Sequence, residues 1–350
     1  MKKQIFILVI LVLETFANVD KSFGQKAVHS TILARPLTCT IDGLNPVAGV
    51  PYTYGAAINP VGGTAVWHAV YNQTTFMTNG LWVPTDETLA GSFLSTTTGY
   101  GSNAAAASPT QTTITWKTNG LSTVNLAHPL FVALEYTAPA PGCTNNNLQV
   151  FLITPKNGFT LDITNMAVDG SAPVSYGTNV SQCYANIASA SYNGTAVVMD
   201  YGINTMYFEV IAANFTTSFT PTFKISGLLG GQRADISWGY TPGTTTTVIK
   251  NSATNETITS GIVETDAPNT STGVSIYVKV VVHNNSYEGL IASNITLAVE
   301  AINTANQHDV KPDCTVTTAG TDDFEDIATQ TLSLRPVVNA PTPGSFIPKI

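Results

Sequence analysis

Apolar and polar residues alternate with period two along most of the chain beyond the first 25 positions. Phe159, Leu161 and Ile163 alternate with Thr160 and Asp162, and Ile114 and Trp116 with Thr113 and Thr115. Ile295, Leu297 and Val299 alternate with Thr296, Ala298 and Glu300. Successive side chains of a strand point to opposite faces, so each run predicts a strand with one apolar and one polar face. β-branched and aromatic residues fill the runs, and Gly, Pro, Asn and Ser separate them, as strands and turns require. No segment carries the 3.6-residue spacing of a capped helix. Ala104–Ala107 is a short run inside a Ser/Thr/Gly loop. The expected fold class is all-β.

The strand pattern is written twice. Phe131–Tyr136 leads through a loop to Asn147–Ile153, and Val278–Val282 leads to Asn294–Val299, both at an offset of 147 residues (278 − 131 and 294 − 147). The offset predicts a hairpin that recurs without a gap. Upstream, Pro51–Tyr54 runs through Gly62-Gly63 to Val66-Trp67, as Pro221–Ile225 runs through Gly230-Gly231 to Ile236–Trp238. Thr113–Trp116 matches Thr257–Ser260, with the Trp lost in the second copy. Two copies of one strand order predict two tandem β-sandwiches, against the alternative of chance similarity among Thr-rich strands. The expected division is 1–25 as a signal peptide, 26–165 and 166–340 as the two sandwiches, and 341–350 as an extended tail. The second unit begins with an extra hairpin over 197–211, turning near Gly202 or Asn204.

At the N-terminus, Lys2 and Lys3 precede the nine apolar residues Ile5–Leu13. That run is too short for a bilayer and has the length of a signal-peptide core, against the alternative of a buried N-terminal strand. Cleavage is expected after Ala17 or nearer Gln25. No Cys follows the apolar run until Cys39, so no lipid anchor is indicated. No later stretch reaches the roughly 18 apolar residues of a membrane helix, so no membrane-spanning segment is expected in the mature chain. Its place is then the exterior, secreted or at the cell surface.

Charged residues are 10% of the 350, with Lys and Arg only 14 and a net charge of −8. Cutting after Ala17 removes Lys2, Lys3 and Glu14 and leaves −8 − (2 − 1) = −9. A chain so poor in cations has no surface to neutralise phosphates, which argues against nucleic acid as a partner. Hydrophobic residues are 43%, too many for a disordered chain.

The first unit resembles a PKD-like domain, an immunoglobulin-like sandwich of exported Bacteroidota proteins. Cys39, Tyr52, Tyr54, Trp67 in Ala-Val-Trp, Ile114-Thr-Trp116, Gly120 and Gly142-Cys143 carry the resemblance, over about 115 residues. The second unit matches at Trp238 and the late hairpin, and has Leu290 where Cys143 would fall. The resemblance implies a spacer, adhesion or assembly module of surface proteins, often linked to type IX secretion or gliding.

Four cysteines in an exported chain favour disulfides, and four allow three pairings. Cys39–Cys143 and Cys183–Cys314 are expected because each keeps its bridge within one unit. A bridge between units and unpaired thiols are the alternatives. The five histidines have no metal-ligand spacing, and no C-x-x-C, G-x-S-x-G or H-E-x-x-H occurs. Gly99–Ala104 matches a dinucleotide fingerprint in form only, since the motif needs a strand before it and a helix after it, and a Ser/Thr-rich stretch expected as loop lies on one side with Ala-Ser-Pro on the other. Asp322, Asp323, Glu325 and Asp326 cluster as hard oxygen ligands that suit Ca2+, against a solvated acidic turn. Trp67, Trp116 and Trp238 are expected in the cores. Trp82, in a loop-like segment, and more weakly Tyr100 and Tyr287, are candidates for stacking on a sugar or anchoring a partner, against a core-capping role for Trp82. The expected role is non-enzymatic, with adhesion or surface assembly through surface proteins or self-association, no cofactor, and glycan binding as the alternative.

Overall fold

The computed structural model describes residues 26–29, 31–48, 50–87, 94–98, 111–116, 126–141, 145–215, 218–264, 272–304, 306–315 and 324–338. The signal segment, the Ala104–Ala107 run, the Gly99–Ala104 motif and the 341–350 tail lie outside them. Among the described residues there is no helix, and every regular element is a strand.

After the two-residue β1 (Val28–His29), the first unit runs through β2 (Pro51–Gly55), β3 (Thr64–Tyr71), β4 (Met77–Thr78), β5 (Leu81–Trp82), β6 (Leu94–Thr98), β7 (Gln111–Trp116), β8 (Leu130–Thr137) and β9 (Asn146–Ile153). One sheet has the order β2-β7-β6 and the other β3-β8-β9. These are the B-E-D and C-F-G neighbours of an immunoglobulin-type sandwich. Trp67, Trp116, Ile114, Leu130 and Val132 are fully buried between the sheets. The Trp116 indole N–H donates to the Tyr54 hydroxyl at 3.2 Å, and that hydroxyl donates to the Gly43 carbonyl at 2.6 Å. Burial accordingly pushes the Tyr54 hydroxyl well above its ordinary range.

The second unit contains β10 (Thr160–Asn165), β11 (Val180–Cys183), β12 (Ser189–Tyr192), β13 (Val197–Asp200), β14 (Ile203–Ala213), β15 (Ser218–Ser226), β16 (Arg233–Thr241), β17 (Thr244–Ser252), β18 (Thr257–Thr259), β19 (Val263–Glu264), β20 (Val274–His283), β21 (Ser293–Asn303) and β22 (Asp326–Ser333). Its sheets are β10-β14-β20-β16-β17 and β11-β22-β21-β15-β18, with β19 also on β15. Phe208, Phe219, Phe223, Ile236, Val278 and Leu297 fill the space between them, and Trp238 lies at its margin, 9% exposed. The all-β fold of paired sandwiches and the three core tryptophans are as the alternation predicts.

Register shows how the two copies correspond. Tyr52 faces Ile114, and Phe223 faces Ile258. Trp67 faces Leu134, and Trp238 faces Val278. The first partners are offset by 171 residues in each case (223 − 52 and 238 − 67), the second by 144 (258 − 114 and 278 − 134). The ungapped offset of 147 is therefore three residues out of structural register. The recurring hairpin is also corrected. β8 pairs β9, but β20 and β21 lie in different sheets, and the place beside β20 is taken by β14. A strand similar in sequence to β9 crosses to the other sheet because β14, arriving earlier in the chain, already hydrogen-bonds that edge. The extra entry hairpin is different too: β13 pairs β12, and β14 joins the main sheet after the turn at Gly202.

Residues 27–38 and 160–165, placed in the first unit by the sequence division, hydrogen-bond into the second. β1 continues along β20 beyond the end of β16, and β10 pairs β14. The first sandwich is thus an excursion between two segments of the second. Its two connections run side by side, with Thr154 N–H donating to Leu44 O at 2.7 Å and Lys156 N–H to Pro46 O at 3.0 Å.

The N-terminal segment is held by charge as well as backbone. Arg35 pairs with buried Asp162 and with Asp326, and its guanidinium lies over Tyr176, 5.5 Å from the ring centre. Just beyond, Cys39 is bonded to Cys314. This corrects both expected pairings: Cys183 is free and exposed, and Cys143 lies outside the described residues. The reason is topological. Cys39 belongs to the segment that lies on the second sandwich, where Thr38 N–H already meets Pro312 O at 2.6 Å.

Candidate functional site: the outer face and open edge of the first sandwich

Strand β8 places Phe131, Ala133 and Glu135 on the face of the β3-β8-β9 sheet away from the core. The paired register puts His68 and Val70 of β3 and Leu148, Val150 and Leu152 of β9 on that same face. The segment from Asn72 to Glu87, with the small β4–β5 hairpin, crosses part of it. Asn79 and Gly80 turn the hairpin with positive φ of 52° and 77°, a conformation that Asn and Gly adopt at least cost.

The hairpin brings Trp82 flat onto His68, with ring centres 3.8 Å apart and planes at 17°. Both Asp86 oxygens lie 3.0 Å from His68 Nδ1, and the Trp82 indole N–H donates to Asp86 Oδ1 at 3.1 Å. An ionised carboxylate only accepts, so the imidazole proton sits on Nδ1. His68 Nε2 is buried with no hydrogen-bond partner and stands 3.7 Å from Glu135 Oε2. Asn146, at the start of β9, donates to Glu135 Oε1 and to Gly80 O, each at 2.9 Å, and so ties the hairpin turn to the sheet. Phe76 packs edge-on against Phe131 at 5.0 Å.

Among the described residues, the face beyond the hairpin is open. A groove of about 410 Å³ runs over Leu126, Pro129, Phe131, Leu152, Ile153 and Pro155. Leu126 is 99% exposed and Leu152 53%. Beside it runs β9, the edge of its sheet. Its sequence, Asn-Asn-Leu-Gln-Val-Phe-Leu-Ile, has no charge, no Pro and no Gly. These are the devices that ordinarily blunt an exposed edge. The opposite edge, β3, is partly closed by the chain itself, since Glu87 N–H donates to Ala69 O at 2.8 Å.

The sequence candidates are scattered. Trp82 is at this face, where one side of its ring covers His68. Tyr287 is in the second sandwich, half-buried, edge-on to Tyr184 at 5.9 Å and packed against the core. Tyr100 lies outside the described residues, as do Asp322 and Asp323. Of the acidic cluster, Glu325 pairs with Lys311 and Asp326 with Arg35. Both described carboxylates are thus spent on cations. Sequence reasoning missed His68, Asp86 and the β9 edge. The signal that marks β9 in the sequence is a run of eight residues without charge, Pro or Gly.

The chain matches no protein-family model and no curated protein. Solved structures similar to it include the N-terminal domain of PorA, 14% identical, covering 49% of this chain and 96% of that one with a TM-score of 0.21. CfaE, the adhesive subunit of the CFA/I fimbria of enterotoxigenic Escherichia coli, is 10% identical and covers 89% and 92%, with a TM-score of 0.27. The C-terminal domain of the Streptococcus agalactiae AgI/II polypeptide BspA is 9% identical and covers 77% and 93%, with a TM-score of 0.24. Superpositions this loose transfer neither residues nor roles to this chain. Among the described residues, no helix is long and apolar enough to cross a membrane.

Proposed function

We propose that this is a non-enzymatic exported protein that works at the cell surface in adhesion or assembly, with the first sandwich as its contact module. The observation that carries the reading is the uncharged β9 edge beside an exposed apolar groove. A strand edge with unpaired backbone groups binds another strand by β-augmentation, and adjacent apolar pockets add selectivity. The second sandwich, with the N-terminal segment fastened by Arg35 and by the Cys39–Cys314 bond, serves as the base. A disulfide of this kind persists in an oxidising compartment, which supports export. Antibody labelling of intact cells, together with attachment and aggregation assays on a strain lacking the gene, tests the proposal. Surface labelling with attachment reduced in the deletion strain is expected. No labelling, or unchanged attachment, overturns it.

A further inference from the structure

Side chains on β9 show which of its backbone groups face outward. Leu148 N–H is held by its neighbour's Asn147 Oδ1 at 2.8 Å, and Val150 O accepts from Gln149 Nε2 at 3.4 Å. In an antiparallel strand, the N–H and C=O of one residue point to the same side, and alternate residues point to opposite sides. Leu148, Val150 and Leu152 therefore present their backbone groups away from β8. Two of those groups are bonded by side chains of the same strand, and among the described residues no backbone group hydrogen-bonds to Leu148, Val150 or Leu152 from this side; the next outward residue, Thr154, is taken by Leu44 O at 2.7 Å.

Resting on the surface-assembly reading, we infer that the partner of this edge is β9 of a second copy, paired antiparallel about a two-fold axis at Val150. That axis sets Val150 opposite Val150, and Leu148 opposite Leu152, as hydrogen-bonded pairs, and brings the Leu148-Val150-Leu152 stripes together on the face that carries the groove. An isologous contact sets like against like, so a charged strand would repel itself. β9 is neutral throughout in a chain of net charge −8. The other described edges are less suited to self-pairing. β17 carries Lys250, β10 carries Asp162, β2 begins with Pro51, and β6, β11 and β18 are only five, four and three residues long. An eight-residue strand is about 27 Å long. A single strand pair of this length with its flanking side chains is a small contact beside the roughly 1,200–2,000 Å² of stable interfaces. Self-association is thus expected to be reversible, with a Kd on the order of micromolar.

Sedimentation of the mature chain over about 1–200 µM is expected to show a monomer–dimer equilibrium. Val150→Lys places two lysines face to face at the axis and shifts the protein to monomer, with an unchanged thermal melt showing that it still folds. In a Cys143→Ser, Cys183→Ser background, Val150→Cys is expected to form a covalent dimer under mild oxidation, since hydrogen-bonded partners about 5.5 Å apart suit a disulfide. Leu81→Cys, exposed on the hairpin, is not. A wild-type monomer throughout the range, a dimer indifferent to Val150→Lys, or equal cross-linking of both cysteines overturns the inference. If attachment by cells still depends on the protein when it is monomeric, the dimer alone fails and the surface role stands.

Discussion

Trp82 and His68 share one carboxylate and lie face to face, so each is positioned by the other and by Asp86. Replacing Trp82 by Ala removes the cover of a buried imidazole and leaves Asp86 one donor short. For a half-buried indole the expected loss is about 2 kcal/mol of stability. Urea unfolding measures it, and a loss below about 0.5 kcal/mol would mean that the stack is incidental. Asp309 behaves differently. Burial, with Asp326 and Glu300 as nearby like charges, raises its carboxyl well above the ordinary range, although Ala301 N–H donates to it at 2.7 Å. A raised folded value favours the neutral form, so its contribution to stability is complete below the ordinary carboxylate range and is lost as pH rises through the folded value. Asp309→Asn keeps an acceptor for Ala301 and cannot ionise. Its melting temperature is expected to gain on the wild type as pH rises above the ordinary carboxylate range, and a difference that stays constant with pH would contradict this account.

Single strands show why the alternation was legible and the pairing was not. The pattern in β21 correctly puts Ile295, Leu297 and Val299 inside, because period two is a local property of extended backbone. Which strand lies alongside is a competition for edges, and β14 wins the edge of β20 over ten paired residues. The N-terminal segment is a similar case. It is almost without regular structure, and it is placed by Arg35 meeting Asp162, a pair 127 residues apart. Asp162 is buried and Arg35 about half exposed. Arg35→Ala removes the cation from that carboxylate and leaves it the residue-35 backbone N–H at 3.3 Å, at an expected cost of about 2–3 kcal/mol, below the full value of a buried pair because the guanidinium is partly in water. Hydrogen exchange should then show faster exchange at Val28 and Ala34, and unchanged protection there would argue that the backbone bonds alone hold the segment.

For the molecule as a whole, the Cys39–Cys314 bond closes a loop of 275 residues that contains the whole first sandwich. The chain-entropy account assigns such a loop about 5 kcal/mol, an upper figure for a bond of this span. Cys39→Ser with Cys314→Ser is expected to lower the stability of the second sandwich by roughly 2–5 kcal/mol. The first sandwich should be little affected, since its core of Trp67, Trp116 and Leu130 is a separate cluster. Thermal unfolding followed by proteolysis of the two units distinguishes them, and an equal loss in both would show that they unfold as one.

Read alone, the sequence determined what is local: strands, their inward faces, the three core tryptophans and the duplication of one strand order. Period-two patterning records only the solvent on either side of a strand, and that information survives in the order of residues. Tertiary structure decided which edges were filled, that Cys39 lies against the second sandwich, that Trp82 covers His68, and that β9 pairs on one side only among the described residues. Each depends on which segment reaches a place first or fits it best, at separations of up to hundreds of residues, and neither composition nor spacing encodes that competition.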